Sequence, residues 1–179
     1  MNAPFKPAAP PEWNLADLYV GRDDPRIETD LAAAKAANDE LASLEGMFLE
    51  ARKEHHRLGV LLDRGVTLYE QATNGLWGVG AYAGLAASVA RDDPAWAKFE
   101  ADLRARSSQI AAESLFFTLE LNQLEDSEIA KALEAYPASA RWAPWLPRAP
   151  VSAARAVARV GALHRRQSPG GRQLGASLR

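Results

Sequence analysis

Apolar positions recur at sums of three and four along most of this chain, the spacing of one buried helical face. The longest such run is Asp93 to Leu124. Trp96, Phe99, Leu103, Ile110, Phe117, Leu121 and Leu124 line one side of it. Asp93 is suited to cap the start, and Pro94 fits the first helical position. The pattern predicts one continuous helix of roughly 30 residues, about 45 Å long. Near its end the apolar face broadens to Leu115, Phe116, Phe117, Leu119 and Leu121, which calls for neighbours on more than one side.

The remaining segments read as those neighbours. Asp24-Pro25 opens a helix whose stripe is Ile27, Leu31, Ala34, Leu41 and Leu44, with a break at Gly46. A second helix is predicted from about Leu49 to Tyr69, with Leu58, Leu61, Leu62, Val66, Leu68 and Tyr69 inside. Glycines at 75, 78, 80 and 84 predict a flexible corner with Trp77 tucked against the helices. Tyr82, Leu85, Ala86 and Val89 then form a short helix. Glu125-Asp126-Ser127 starts another, carrying Ile129, Ala130 and Leu133, and Trp142, Trp145 and Leu146 form a last apolar cluster. The fold class expected is all-α: an antiparallel helical bundle with one long central helix and a poorly ordered C-terminal tail.

Prolines at 4, 7, 10 and 11 predict an extended arm over residues 1–12. Trp13, Leu15, Leu18 and Tyr19 would pin that arm to a helical domain spanning 13–147, in preference to forming a ligand-stacking site. The net charge of −2 conceals an asymmetry. Residues 1–147 carry 23 acidic and 14 basic side chains, a net of −9, while 148–179 carry seven arginines and no acid. An acidic body repels phosphate backbones, and the tail shows no nucleic-acid-binding signature, so nucleic acid is disfavoured as a partner. The absence of cysteine excludes disulfides and thiolate metal sites. Phe5 is followed by Lys6 and prolines instead of a long apolar run, and no stretch reaches membrane-spanning length, so a cytoplasmic location away from membranes is expected.

Chemistry-bearing motifs are sparse. His55 and His56 are adjacent, so their side chains leave a helix about 100° apart and do not converge on one metal. They read as surface or boundary residues. The glycine-rich stretch lacks the GxxxxGK[ST] phosphate loop. No catalytic, cofactor-binding or metal-binding residue is assigned.

Several stretches nevertheless resemble the oligoendopeptidase F branch of the thimet-oligopeptidase-like zinc metallopeptidases. Trp13-Asn14-Leu15-Ala16-Asp17-Leu18-Tyr19, with Asp24-Pro25 and Asp30-Leu31, is similar to that family's N-terminal start. Tyr82-Ala83-Gly84-Leu85 resembles its Tyr-Ala-x-Leu segment. Leu115-Phe116-Phe117-Thr118-Leu119-Glu120-Leu121 resembles its Leu-x-Phe-Phe-x-Leu-Glu segment. The resemblance covers residues 13 to about 146 and implies the family's all-helical N-terminal region, which helps to wall the peptide channel. Full-length members hydrolyse oligopeptides with zinc held by His-Glu-x-x-His and a further glutamate. His55, His56 and His164 do not match those ligands, so no cofactor is expected on this chain and zinc is implied only for the whole enzyme. The chain is expected to be inactive alone, with a catalytic domain or another protein chain as partner. The alternative is a non-catalytic helical binding or adaptor module. The resemblance ends at Arg148-Ala149-Pro150, and no acidic residue occurs from there on. A truncated or frameshifted gene product accounts for this, with a tail adapted to a partner as the alternative.

Overall fold

The computed structural model describes residues 14–146, so the arm before Asn14 and the tail after Leu146 lie outside it, with Trp13, Pro147 and His164. The described residues are all-α. Six α-helices are present with two 3₁₀ turns and no strand among them: α1 (Pro25–Ala42), α2 (Met47–Glu50), α3 (His55–Val89), α4 (Pro94–Glu113), α5 (Leu115–Leu121) and α6 (Asp126–Ala135). The 3₁₀ turns are Ala51–Lys53 and Pro137–Trp142. No helix among the described residues is long and apolar enough to cross a membrane.

Two corrections to the sequence reading concern where helices break. The long helix expected over 93–124 is two helices, because α4 stops at Glu113 and α5 begins at Leu115. The Ser114 amide turns back to the Ala111 carbonyl at 3.3 Å, and its hydroxyl donates to the same oxygen at 3.1 Å. The Ile110 carbonyl accepts instead from Asn38 Nδ2 at 2.9 Å. A side chain 72 residues away thus satisfies one of the carbonyls that a helix end leaves over. Conversely, the helix expected over 49–69, the glycine corner and the short helix after it are largely one 35-residue helix, α3. At 1.5 Å per residue it is roughly 52 Å long. Trp77 is not tucked in a corner; it stands on α3, 75 % exposed.

The described residues divide into two compact units, 14–43 with 67–114 and 44–66 with 115–146. The helix α3 therefore contributes its first turns to the second unit and the rest to the first. In the first unit, Asp24 caps α1 through Arg26 N–H, and Asp93 caps α4 through Ala95 N–H, each at 2.9 Å, with proline beginning both helices. Ile27, Leu31, Val79, Tyr82, Ala83, Ala86 and Leu103 form its core with Tyr19. Tyr82 meets Tyr19 edge-on at 5.0 Å, and Gly75 lies against Ala34, so α3 runs antiparallel to α1. Trp96 and Phe99 of α4 pack edge-on against Tyr82.

The second unit is built around Phe48 and Phe117, both fully buried with ring centres 5.3 Å apart. Leu58, Leu62, Val66, Leu121, Ile129 and Leu146 are buried with them. Trp145 stacks on Phe117, and Trp142 Nε1 donates to Asp63 Oδ1 at 2.9 Å. Gly46, at φ +84°, has the left-handed backbone that glycine adopts without steric cost. Its amide donates to the buried Glu120 carboxylate at 2.6 Å.

Candidate functional site

The first unit carries a groove of about 680 Å³ between α1 and α4. Leu31 and Ile110 supply apolar surface, and Glu28, Lys35, Arg106, Gln109 and Glu113 supply polar groups. Glu28 pairs with Arg106 while Asn38 reaches Ile110, so the two helices run in the same direction on either side of the groove. The Arg106 fork holds both Glu28 oxygens, at 2.7 and 2.6 Å. That hydrogen bonding keeps the Glu28 carboxyl below its ordinary range. Lys35 is paired with Asp39 at 2.7 Å, and Glu113 accepts from Asn38 at 3.3 Å. The groove's charges are thus engaged by neighbouring side chains. It offers apolar surface and a polar rim suited to an uncharged side chain, with no nucleophile beside a base.

A second polar cluster surrounds the start of α1. Asp24 accepts from the Val20 amide at 2.9 Å and from the Arg26 guanidinium at 2.7 Å, as well as capping the helix. The Arg26 hydrogen bonds, then the backbone amides, hold its carboxyl far below the usual range. Tyr19 donates to Asp30 Oδ2 at 2.7 Å. Burial, followed by that hydrogen bond, pushes the Tyr19 hydroxyl up to about 12. A general base or nucleophile requires the opposite shift. Tyr19 is thus held in the core, whereas Leu18 is exposed, and Trp13 and the arm that this segment is expected to pin lie outside the described residues.

In the second unit, Glu128 on α6 gathers three donors. Arg52 bonds both of its oxygens at 3.1 and 3.0 Å, Lys53 donates at 2.8 Å, and the Glu125 amide donates at 3.0 Å. Hydrogen bonding from Arg52, then from Lys53, then from the amide, lowers its carboxyl to about 2. Three positions separate Glu125 from Glu128, the spacing of a capping box, so this contact was open to a reading of the sequence. The partnership with Arg52 and Lys53 was not, since it spans 76 and 75 residues.

Because the folded pKa of Glu128 is depressed, its contribution to stability is fully present above the unfolded carboxylate value of about 4.3. That contribution is lost as pH falls through about 2. Glu128→Gln is expected to be less stable than the wild type at neutral pH, with the difference shrinking between about pH 4.5 and 2. Denaturant titrations at a series of pH values measure that difference. A stability gap independent of pH would show that shape, not charge, carries the contribution.

His55 and His56 lie in the boundary and surface positions expected of them, and His164 lies outside the described residues. His55 is partly buried at the start of α3, and His56 is exposed with its ring against Tyr136. No group of three or more His, Asp or Glu side chains able to hold a metal occurs among the described residues. The residues that resemble the metallopeptidase motifs are divided: Tyr19, Tyr82, Phe117, Glu120 and Leu121 are buried, while Leu18, Leu85, Leu115 and Leu119 are exposed. Comparison with protein-family models, curated proteins and solved structures finds no match to this chain.

Proposed function

We propose that these residues form the N-terminal helical region of an oligoendopeptidase F-like zinc metallopeptidase. Their role would be to wall a peptide channel while the zinc centre lies outside this sequence. The observation that carries the reading is the order and spacing of three segments: Trp13 to Tyr19, Tyr82 to Leu85, and Leu115 to Leu121. A catalytic zinc site takes about three protein ligands and activates a water for attack on the peptide carbonyl. Those ligands would come from a catalytic domain or a second chain, and the substrate would be an oligopeptide.

The chain alone, with zinc added, is expected to cleave no member of a mixed peptide library. Mixed with the catalytic part of an oligoendopeptidase F lacking its own N-terminal region, it is expected to restore zinc-dependent cleavage. Chelator-sensitive cleavage by the purified chain alone would overturn the first expectation. Failure to bind or activate the catalytic part would overturn the second.

A non-catalytic binding module is the second reading. It is favoured by α5, where the apolar side chains of Leu115 and Leu119 are 49 % and 39 % exposed. Binding to the catalytic part without recovery of cleavage would favour this reading.

A further inference from the structure

We propose that the chain's own C-terminal segment, Val157 to Leu163, docks on the exposed side of α5. Leu115 and Leu119 lie one turn apart on this helix, and both are exposed. They stand two positions either side of the buried Phe117, which puts them about 200° around the helix from it. One side of α5 is therefore core of the second unit, and the opposite side offers two leucines.

The occupant follows first from where the described chain ends. Trp145 stacks on Phe117 with ring centres 6.5 Å apart, and Leu146 is buried. The chain thus leaves the described residues beside α5. From Pro147 to Val157 an extended chain reaches about 33 Å, against a helix diameter of about 10–12 Å. That length suffices to pass round α5 to the leucines. The second argument is the pattern of the segment. Val157, Val160 and Leu163 recur every three residues, the spacing of anchors that meet one apolar surface. Arg155, Arg159 and Arg166 fall on another side in the same helical spacing.

Charge supplies the third argument. Residues 148–179 carry seven arginines and no acid. Glu45 precedes Gly46, whose amide donates to Glu120 of α5, and Asp126 opens α6 shortly after α5 ends. Both carboxylates are exposed, and neither is in an ion pair among the described residues. Two anions therefore stand near α5 for arginines that flank the apolar anchors. Tethering selects the chain's own segment over a separate one. A short linker gives an effective concentration on the order of millimolar, so a weak contact is populated within one molecule. The inference favours a tail adapted to a partner, that partner being the body of the same molecule. It does not rest on the peptidase reading. Under the binding-module reading, a partner reaching α5 would first displace the tail.

The sequence has no cysteine, so a spin label attached through Gln123→Cys reports on the full chain from one place. Gln123 is exposed just past the end of α5. Nuclear magnetic resonance is expected to show the amides of 155–163 broadened by the label more than those of 170–179, and equally so on dilution. Leu115→Ser combined with Leu119→Ser is expected to remove most of that difference, as is Val157→Asp combined with Val160→Asp. Glu45→Lys combined with Asp126→Lys is expected to weaken it severalfold. The substituted body positions are exposed, and circular dichroism confirms that each variant keeps its helices. Equal broadening along the whole tail, or none, would overturn the proposal. So would a contact that survives the leucine substitutions, since charge alone would then hold the tail. Broadening that disappears on dilution would overturn it too, assigning this side of α5 to the tail of a second copy.

Discussion

Phe117→Ala is expected to destabilise the second unit by about 3–5 kcal/mol, the range for truncating a fully buried phenylalanine. Phe117 has no exposed surface, and its ring lies against those of Phe48 and Trp145. Alanine would remove the ring and leave a cavity that two large aromatic side chains do not easily fill. Small domains have only about 5–15 kcal/mol of stability in total, so the loss is a large fraction of the whole. Hydrogen exchange localises the effect. Amide protection in α5, α6 and the first turns of α3 is expected to fall, with a smaller change in α1 and α4. Unchanged protection in the second unit would mean that Phe117 is not the centre of its core.

Gly59→Ala is expected to destabilise the protein by about 1–3 kcal/mol, the cost of overpacking a close contact. Helix propensity alone favours this substitution by about 1 kcal/mol. Packing reverses the sign. A Cβ at position 59 would lie 2.6 Å from the Ala132 carbonyl oxygen and 2.5 Å from Tyr136 Cβ. The first of these is backbone of α6 and cannot swing away like a side-chain tip. Gly78→Ala supplies the control on the same helix, since a Cβ there meets nothing within 4 Å. That variant should gain up to about 1 kcal/mol. Urea denaturation of the two variants against the wild type measures both values. Stabilisation by both substitutions would show that α3 and α6 do not approach as closely as the structure has them.

Much of the fold was legible in local sequence because its causes are local. Asp24-Pro25 and Asp93-Pro94 begin helices by capping chemistry that involves residues two positions apart. Of the predicted stripe, Ile27, Leu31, Ala34 and Leu41 are buried as their spacing predicts, while Leu44 lies past the end of α1 and is half-buried. The all-α class follows from such stripes repeated along the chain. Candidate chemistry was sparse in the sequence, and the cluster of Glu128 with Arg52 and Lys53 joins positions too far apart to be read from it.

What the sequence did not yield was decided by contacts between distant positions. Local propensity reads Gly75, Gly78, Gly80 and Gly84 as a break, since each costs about 1 kcal/mol in a helix. The chain nevertheless stays helical through all four. Gly75 lets Ala34 approach to 3.0 Å of where its Cβ would stand, and Gly59 and Gly65 make similar room for α6, Phe48 and Phe117. In these three places the missing Cβ serves a neighbour that local sequence does not reveal. The break at Ser114 is the converse. Periodicity continues across it, but Asn38 takes the Ile110 carbonyl and the helix ends there. Helix-forming tendency is a property of a short stretch of sequence and could be read from it. Where each helix ends depends on which distant groups take its hydrogen bonds and fill its hollows, and only the tertiary structure decides that.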